Sequence, residues 1–423
     1  MGSKDIMENI KKLLEEVKFK GLYIIKDGDN VTRFTSEEEG IKEDTLCQTL
    51  TISRLYYNYL AMLLFKYGKM NIYQKINTVD DRFPDYISIH DLLTHDAGIN
   101  SVNTLDEFDK NKEYTLDEMI DFILIYKVKL FEKNKYGRYN YSYTNSIIFT
   151  HIIQKLIDNS IRDMMREYVI DKLELKETFF ASDDIKKIWK GEILKEKEKP
   201  EAYTKIGYFY DIMATPRDIE KFITMINNEL TGVFLKMFYI IHGDNELSNN
   251  LFYCISGLLY RNKGGKKGDG KTYYCIDYFR GPGSHHGISF ETDNPGNRYI
   301  IMMSNTERYG EAMTTVELSR NIIIAFSSNT PFFLKPTGEA SRRLTFGEIE
   351  KVVGKYANEY SMYDVKEVDG RIFLISRKQM NDLIHLGGLT FYRNYMSKIK
   401  FKENKLVVQY ISGEEFEMKK VKL

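Results

Sequence analysis

The chain has 423 residues, and its 61 Lys+Arg balance 61 Asp+Glu, so it carries no net charge at pH 7. That balance gives no long-range pull toward a phosphate backbone or an anionic bilayer, so nucleic acid and membrane are excluded as expected partners. Hydrophobic residues make up 43% and charged residues 29%, enough apolar material for a sizeable core, at a length that suits one large domain plus a smaller one.

Three scattered cysteines, Cys47, Cys254 and Cys275, do not make a disulfide framework or a zinc knuckle. The first residues lack an apolar core with a small-residue cleavage site, and no run reaches the roughly 18 apolar residues of a membrane helix. The expectation is a soluble, cytoplasmic protein with no metal site and no cofactor.

In chain order, residues 21–34 predict two strands around the turn Asp27-Gly28-Asp29-Asn30. Ile52, Tyr56, Leu60, Leu63 and Leu64 recur at helical spacing and predict a helix from Ile52 to Tyr67, stopped by Gly68. In residues 86–99, His90 and His95 stand at i, i+5, which is not the same-face spacing of a metal site, so both are expected to be core or hydrogen-bonding histidines. Thr115-Leu116-Asp117-Glu118 is a capping box that opens another helix. Thr215-Pro216-Arg217-Asp218 opens a third, with Pro where its missing N–H costs nothing.

Gly265 to Thr272 satisfies the G-x-x-x-x-G-K-[ST] phosphate-loop pattern. That mechanism needs a helix after the loop, whereas Tyr273 to Phe279 reads as a strand, so a hairpin tip is expected instead. Lys335-Pro336-Thr337-Gly338 reads as a linker. Thr345 and Glu348 cap a short helix. Val365, Val368, Ile372, Leu374, Ile399, Phe401, Val407 and Tyr410 then alternate between the turns Asp369-Gly370, Glu403-Asn404 and Ser412-Gly413. A small antiparallel barrel or meander follows from that pattern.

Several segments agree, in order, with one family. YISIHDLLTHDAGI at 86–99, Gly68-Lys69-Met70, Leu173 to Thr178, and Met213 to Ile219 resemble segments of the serine β-lactamase and penicillin-binding-protein-like family, in its class C and esterase branch. The resemblance spans nearly the whole chain. It implies an α+β fold: an antiparallel sheet flanked by helices, with a mostly helical subdomain at about 74–183. The boundaries it implies are 1–334 for the large domain and 335–423 for the C-terminal barrel.

The resemblance also implies three chemical motifs. The first is Ser-x-x-Lys at the start of the first core helix, where a lysine one turn on takes the nucleophile's proton. Counting back from Gly68-Lys69 places Thr51 and Arg54 at these positions, with Ser53 between them. A guanidinium cannot act as a neutral base. The second is Tyr-x-Asn, matched by Tyr141 and Tyr143, with Asn145 two residues on; a phenol cannot supply the paired donor and acceptor of a carboxamide. The third is His-x-Gly on a pocket-lining strand, matched by His285-His286-Gly287, where the amides of Ile288 and Thr51 stand for an oxyanion hole.

The resulting expectation is a catalytically degenerate member whose pocket takes a small acidic ligand or a protein partner. The alternative is a non-standard hydrolase or acyltransferase for an ester, thioester or amide, with Tyr141 as base for Thr51 or Ser53. On either reading Thr51, Arg54, Tyr141 and His285 share one pocket.

Overall fold

The computed structural model describes residues 3–36, 41–49, 52–109, 112, 114–132, 139–181, 211–240, 246–248, 251–261, 271–276, 285–304, 306, 308–309, 313–335, 344–359, 361–376, 379–412 and 414–421. These form two compact units. The larger holds the described residues of Phe19–Lys263 and Gly270–Ile323, the smaller those of Met1–Lys18 and Ile324–Leu423.

The larger unit opens on the predicted hairpin, β1 (Leu22–Asp27) and β2 (Asn30–Thr35). Asp27 pairs with Asn30, and Gly28 takes φ +61°, a conformation that favours glycine in so tight a turn. The hairpin forms one end of an eight-stranded antiparallel sheet. In chain order its other strands are β6 (Glu246–Ser248), β7 (Leu251–Cys254), β8 (Gly257–Arg261), β9 (Thr272–Ile276), β10 (His285–Glu291) and β11 (Arg298–Ser304). They lie side by side as β2-β1-β11-β10-β9-β8-β7-β6. From Tyr299 to Ser304 every residue of β11 is buried. A strand covered on both faces reads as an unbroken apolar run rather than an alternation. A short three-stranded ribbon, β3 (Cys47–Gln48), β5 (Ile212–Ala214) and β4 (Thr178–Phe180), stands apart from this sheet.

Helix α2 (Ser53–Lys66) is buried without interruption from Ser53 to Leu64. Being apolar on nearly all sides, it belongs inside the core rather than on a surface. It shares one cluster with Leu22, Ile24, Ile288, Ile301 and Met303 of the sheet. The described helices between it and the ribbon are α3 (Ile89–Thr94), α4 (Leu116–Ile125), α5 (Lys127–Leu130), α6 (Tyr143–Ile157) and α7 (Ile161–Met165). They are followed by α8 (Pro216–Glu229) and α9 (Gly232–Tyr239). The predicted starts at Thr115 and Thr215 are real: both hydroxyls accept the amide three residues on, and Glu118 completes the box. On the other face of β10, Gly287 meets α10 (Thr315–Ser328). A Cβ there would lie 2.4 Å from Ser319 Oγ and 2.9 Å from the Thr315 carbonyl oxygen. β12 (Arg308–Tyr309) and β13 (Met313–Thr314) pair just before α10.

The smaller unit contains a closed antiparallel barrel of eight strands: β14 (Gly354–Ala357), β15 (Met362–Val368), β16 (Arg371–Ser376), β17 (Gln379–Gly387), β18 (Thr390–Asn394), β19 (Ser397–Lys402), β20 (Lys405–Tyr410) and β21 (Glu415–Lys420). Pairing of Tyr356 with Lys420 and of Ala357 with Lys419 closes it. Val365, Leu374, Ile399 and Phe401 fill its interior, as their alternation predicts. Val368 does not: it is 42% exposed, because it stands three residues beyond the inward-facing Val365 and so lies on the outward face of β15. Helix α11 (Phe346–Val352) precedes the barrel, capped by Thr345 and Glu348 as expected. The segment proposed as a linker lies outside the described residues from Pro336 onward.

Candidate functional site

The site is built on the first turn of α2. Ser53 is fully buried, and its Oγ lies 2.7 Å from Thr49 Oγ1. Ser53 Oγ also accepts the Ile212 amide at 3.3 Å, while Thr49 Oγ1 donates to the Ile212 carbonyl at 2.7 Å. These three bonds tie the helix start to β5, so the Ser53 hydroxyl is occupied as a structural bridge. Thr51 lies outside the described residues.

Arg54 is 7% exposed. Its guanidinium carbon sits 5.3 Å from the ring centre of Tyr141 and 5.4 Å from that of Tyr253. Two aromatic faces within about 6 Å stabilise a cation that burial would otherwise disfavour. Nη2 of Arg54 is 3.5 Å from the Leu93 carbonyl.

Tyr141 is held by the segment after α3. His95 caps α3 in the left-handed conformation, φ 59°. Its carbonyl accepts the Asn140 amide at 2.9 Å, and its Nδ1 accepts the Ser142 amide at 3.2 Å. Because a backbone N–H can only donate, Nδ1 of His95 carries no proton and the neutral ring is protonated on Nε2. Asn145 Nδ2, 2.8 Å away, is therefore the donor to the same Nδ1. Burial, and secondarily the charge of Arg54, holds the His95 value well below the usual histidine range, in agreement with a neutral ring. The His95 ring lies 4.7 Å from Tyr141 and 5.5 Å from Tyr253. Tyr143, the first residue of α6, meets Tyr141 edge-on at 5.8 Å.

Tyr253, on β7, had no sequence signal: it is one tyrosine among 31, about 200 residues beyond Arg54 and in no motif. Burial pushes its phenol well above the ordinary value, with Arg54 opposing. Tyr139 packs on it at 4.6 Å. The neighbouring Cys254 is buried, its thiol is pushed up to about 11, and its sulfur lies 2.9 Å from Ser256 Oγ. It is a neutral thiol at physiological pH, not an activated nucleophile.

Of the remaining predicted positions, His285 begins β10, with its side chain outside the described residues. His286 and Ile288 are buried on that strand, and Gly287 is the contact with α10 described above. The cluster thus brings together Arg54, Tyr141, Tyr143 and Asn145, and adds His95, Tyr139 and Tyr253. His90 stacks on Tyr73 at 5.4 Å, away from any metal-ligand grouping. Among the described residues there is no cluster of three or more metal-ligating side chains. Thr272, which ends the phosphate-loop pattern, opens strand β9, and Lys271 is paired with Glu291. The required helix does not follow.

An antiparallel sheet with a buried helix on one face, a second helix on the other and a cluster at the buried helix's first turn defines a β-lactamase/transpeptidase-like α+β fold, one associated with hydrolases. The family model described as Beta-lactamase matches residues 7–315, well over half of the chain, and the chain belongs to that family. Its fold is similar to the octameric penicillin-binding protein homologue from Pyrococcus abyssi, at 16% identity and TM-score 0.58, covering 99% of this chain and 100% of that one. It is also similar to FmtA from Staphylococcus aureus (17%, TM-score 0.54, 80% and 93% covered) and to a class C β-lactamase from Rhodobacter sphaeroides (14%, TM-score 0.55, 77% and 99% covered). At such identities these likenesses speak to fold alone. No curated protein matches the sequence.

Proposed function

We propose that this chain is a catalytically degenerate member of its family: a cytoplasmic protein in which Thr51 and Arg54 replace the serine–lysine pair. On this reading the inherited pocket binds a small acidic ligand. The observation that carries it is the setting of Arg54, a permanent cation buried between the rings of Tyr141 and Tyr253. A lysine there can lose its proton and serve as base; a guanidinium cannot. What a guanidinium does well is hold a carboxylate or phosphate through paired N–H donors.

Two measurements test this. Intact mass after incubation with a fluorescent β-lactam, a fluorophosphonate and activated esters is expected to show no adduct; a stoichiometric adduct on Thr51 would falsify the proposal. Calorimetry with small carboxylates and inorganic phosphate is expected to show binding that Arg54→Met weakens roughly 10–100-fold, the loss of charge-assisted hydrogen bonds.

The juxtaposition of Tyr141 with Arg54 supports a second reading, a non-standard hydrolase or acyltransferase in which Tyr141 is the base. Under it Tyr141→Phe and Thr51→Ala each abolish turnover of an activated ester, and full activity in both variants removes it.

A further inference from the structure

The bonds that orient His95 also fix where its one ring proton lies. Nδ1 is filled from two sides, by the Ser142 amide at 3.2 Å and by Asn145 Nδ2 at 2.8 Å. The proton therefore sits on Nε2, at the far edge of the imidazole. That nitrogen is buried and meets no hydrogen-bond acceptor among the described residues, in a residue only 1% exposed. Buried donors are nearly always paired, because an unmet one is a standing cost to the fold. The neighbouring rings do not supply the acceptor. Tyr253 lies 5.5 Å away at 69° to the imidazole, and an aromatic face is a weak acceptor for an N–H.

His95 and Arg54 flank the same two rings. The imidazole centre lies 4.7 Å from that of Tyr141 and 5.5 Å from that of Tyr253, and the guanidinium carbon lies 5.3 and 5.4 Å from them. The two residues come from different elements, the end of α3 and the first turn of α2, and Arg54 is the charge that acts on His95. A neutral donor and a permanent cation beside one pair of rings suit a group with negative charge and more than one acceptor oxygen. The amount of charge narrows the class. The phenol of Tyr253 and the thiol of Cys254 stay uncharged at physiological pH, so the cation has only neutral company. One negative charge is balanced there, whereas a dianion brings a second charge into a buried site with no partner for it.

We infer that His95 is the second recognition group of this pocket, and that the pocket takes a small monocarboxylate in preference to a phosphate. The Nε2–H of His95 donates to one carboxylate oxygen while Arg54 holds the other. The acid enters on the side of Tyr139 and Tyr141, which are partly exposed. This rests on the acid-binding reading of Arg54, to which it adds a second donor and the charge of the ligand.

The test is calorimetry on the full chain at about pH 8 with acetate, benzoate and inorganic phosphate, the last mainly a dianion there. Wild type is expected to bind the two carboxylates more tightly than phosphate. His95→Asn keeps an acceptor in the place of Nδ1 but has nothing at Nε2. It is expected to weaken carboxylate binding roughly tenfold, the worth of one hydrogen bond to a charged group. A second measurement needs no variant: in wild type with isotope-labelled histidine rings, the Nε2–H proton of His95 is expected to move downfield in the nuclear magnetic resonance spectrum as acetate saturates the site. Carboxylate binding that Arg54→Met weakens and His95→Asn does not, with an Nε2–H proton that stays in place, overturns the role of His95 and leaves the acid-binding reading standing. Phosphate bound as tightly as acetate overturns the assignment of a monoanion. Binding of none of the three by wild type removes the acid-binding reading itself, and the role of His95 with it.

Discussion

Single residues set the limits of what this site can do. His95 shows how a neutral ring is fixed: two donors converge on Nδ1, and burial beside Arg54 opposes protonation. The consequence for stability has a definite sign. A histidine whose folded value is depressed takes up its proton more readily in the unfolded chain, so folding stability is lost as pH falls below the ordinary value of about 6.5. Urea unfolding between pH 7 and pH 5 is therefore expected to show wild type losing up to about 1.4 kcal/mol per pH unit from this group. In His95→Asn the side-chain carbonyl replaces Nδ1 as acceptor and nothing titrates, so the slope flattens; identical slopes in the two proteins refute the assignment. Gly287 sets a different limit, one of space. Its missing Cβ would meet both the Ser319 side chain and the Thr315 carbonyl oxygen. Gly287→Ala is expected to cost about 1–3 kcal/mol, the range for overpacking, as a lowered urea midpoint at constant m-value. Ser319→Ala is expected to restore only part of it, because the Thr315 obstacle is backbone. The glycine of the third motif is thus accounted for by the approach of a helix.

Among elements, α2 is the one on which the site depends, and the bridge at its first turn is what orients it. Ser53→Ala removes the acceptor of the Ile212 amide and one of the two partners of Thr49 Oγ1, which keeps its bond to the Ile212 carbonyl. Stability is expected to fall by about 1–2 kcal/mol through the lost bond and a buried donor left unmet, read as a shift in thermal or urea midpoint. The same variant is expected to leave ligand affinity at Arg54 unchanged; a loss of covalent labelling in Ser53→Ala would instead make Ser53 a nucleophile. Elements that rest on local rules were readable in the sequence. The hairpin turn at Gly28, the starts at Thr115, Thr215 and Thr345, and the stop at Gly68 each follow from backbone chemistry within four residues. So was α2, from the spacing of its apolar residues. Tyr253 was not, because its neighbours in space come from α2, α3 and the segment before α6. Local sequence carries no trace of which strand will pass a given ring. His95 was readable as a hydrogen-bonding residue, but not as the group that orders Tyr141 and Asn145, since that role depends on a left-handed cap visible only in the backbone.

At the scale of the whole molecule, the smaller unit is assembled from the two ends of the chain. Helix α1 (Ser3–Glu16) contributes Asn9, whose amide group donates to the Phe332 carbonyl at 3.2 Å and accepts the Phe332 amide at 2.7 Å. The next links run through Glu16, which accepts the Lys335 amide at 3.2 Å, and through the Phe333 amide, which donates to the Tyr395 carbonyl at 3.1 Å. Ser328 adds a bond from its hydroxyl to the Ile411 carbonyl, 2.8 Å. One asparagine therefore satisfies both polar groups of Phe332, in the segment that leads from α10 toward the barrel. No sequence pattern connects residues 323 positions apart, because the pairing serves only two backbone atoms. Asn9→Ala leaves that amide and carbonyl without their partner, at a cost of about 1–3 kcal/mol. Loss of a tie confined to one unit opens that unit first, since local unfolding follows cooperative blocks of structure. Hydrogen-exchange mass spectrometry of the full chain is expected to show faster exchange in Asn9→Ala for peptides covering α1 and residues 328–335. Peptides from β1, β10 and β11 are expected to stay at wild-type protection. Acceleration shared equally by the sheet would mean that the two units unfold as one, and unchanged exchange around Phe332 would mean that α1 carries no part of the smaller unit's stability.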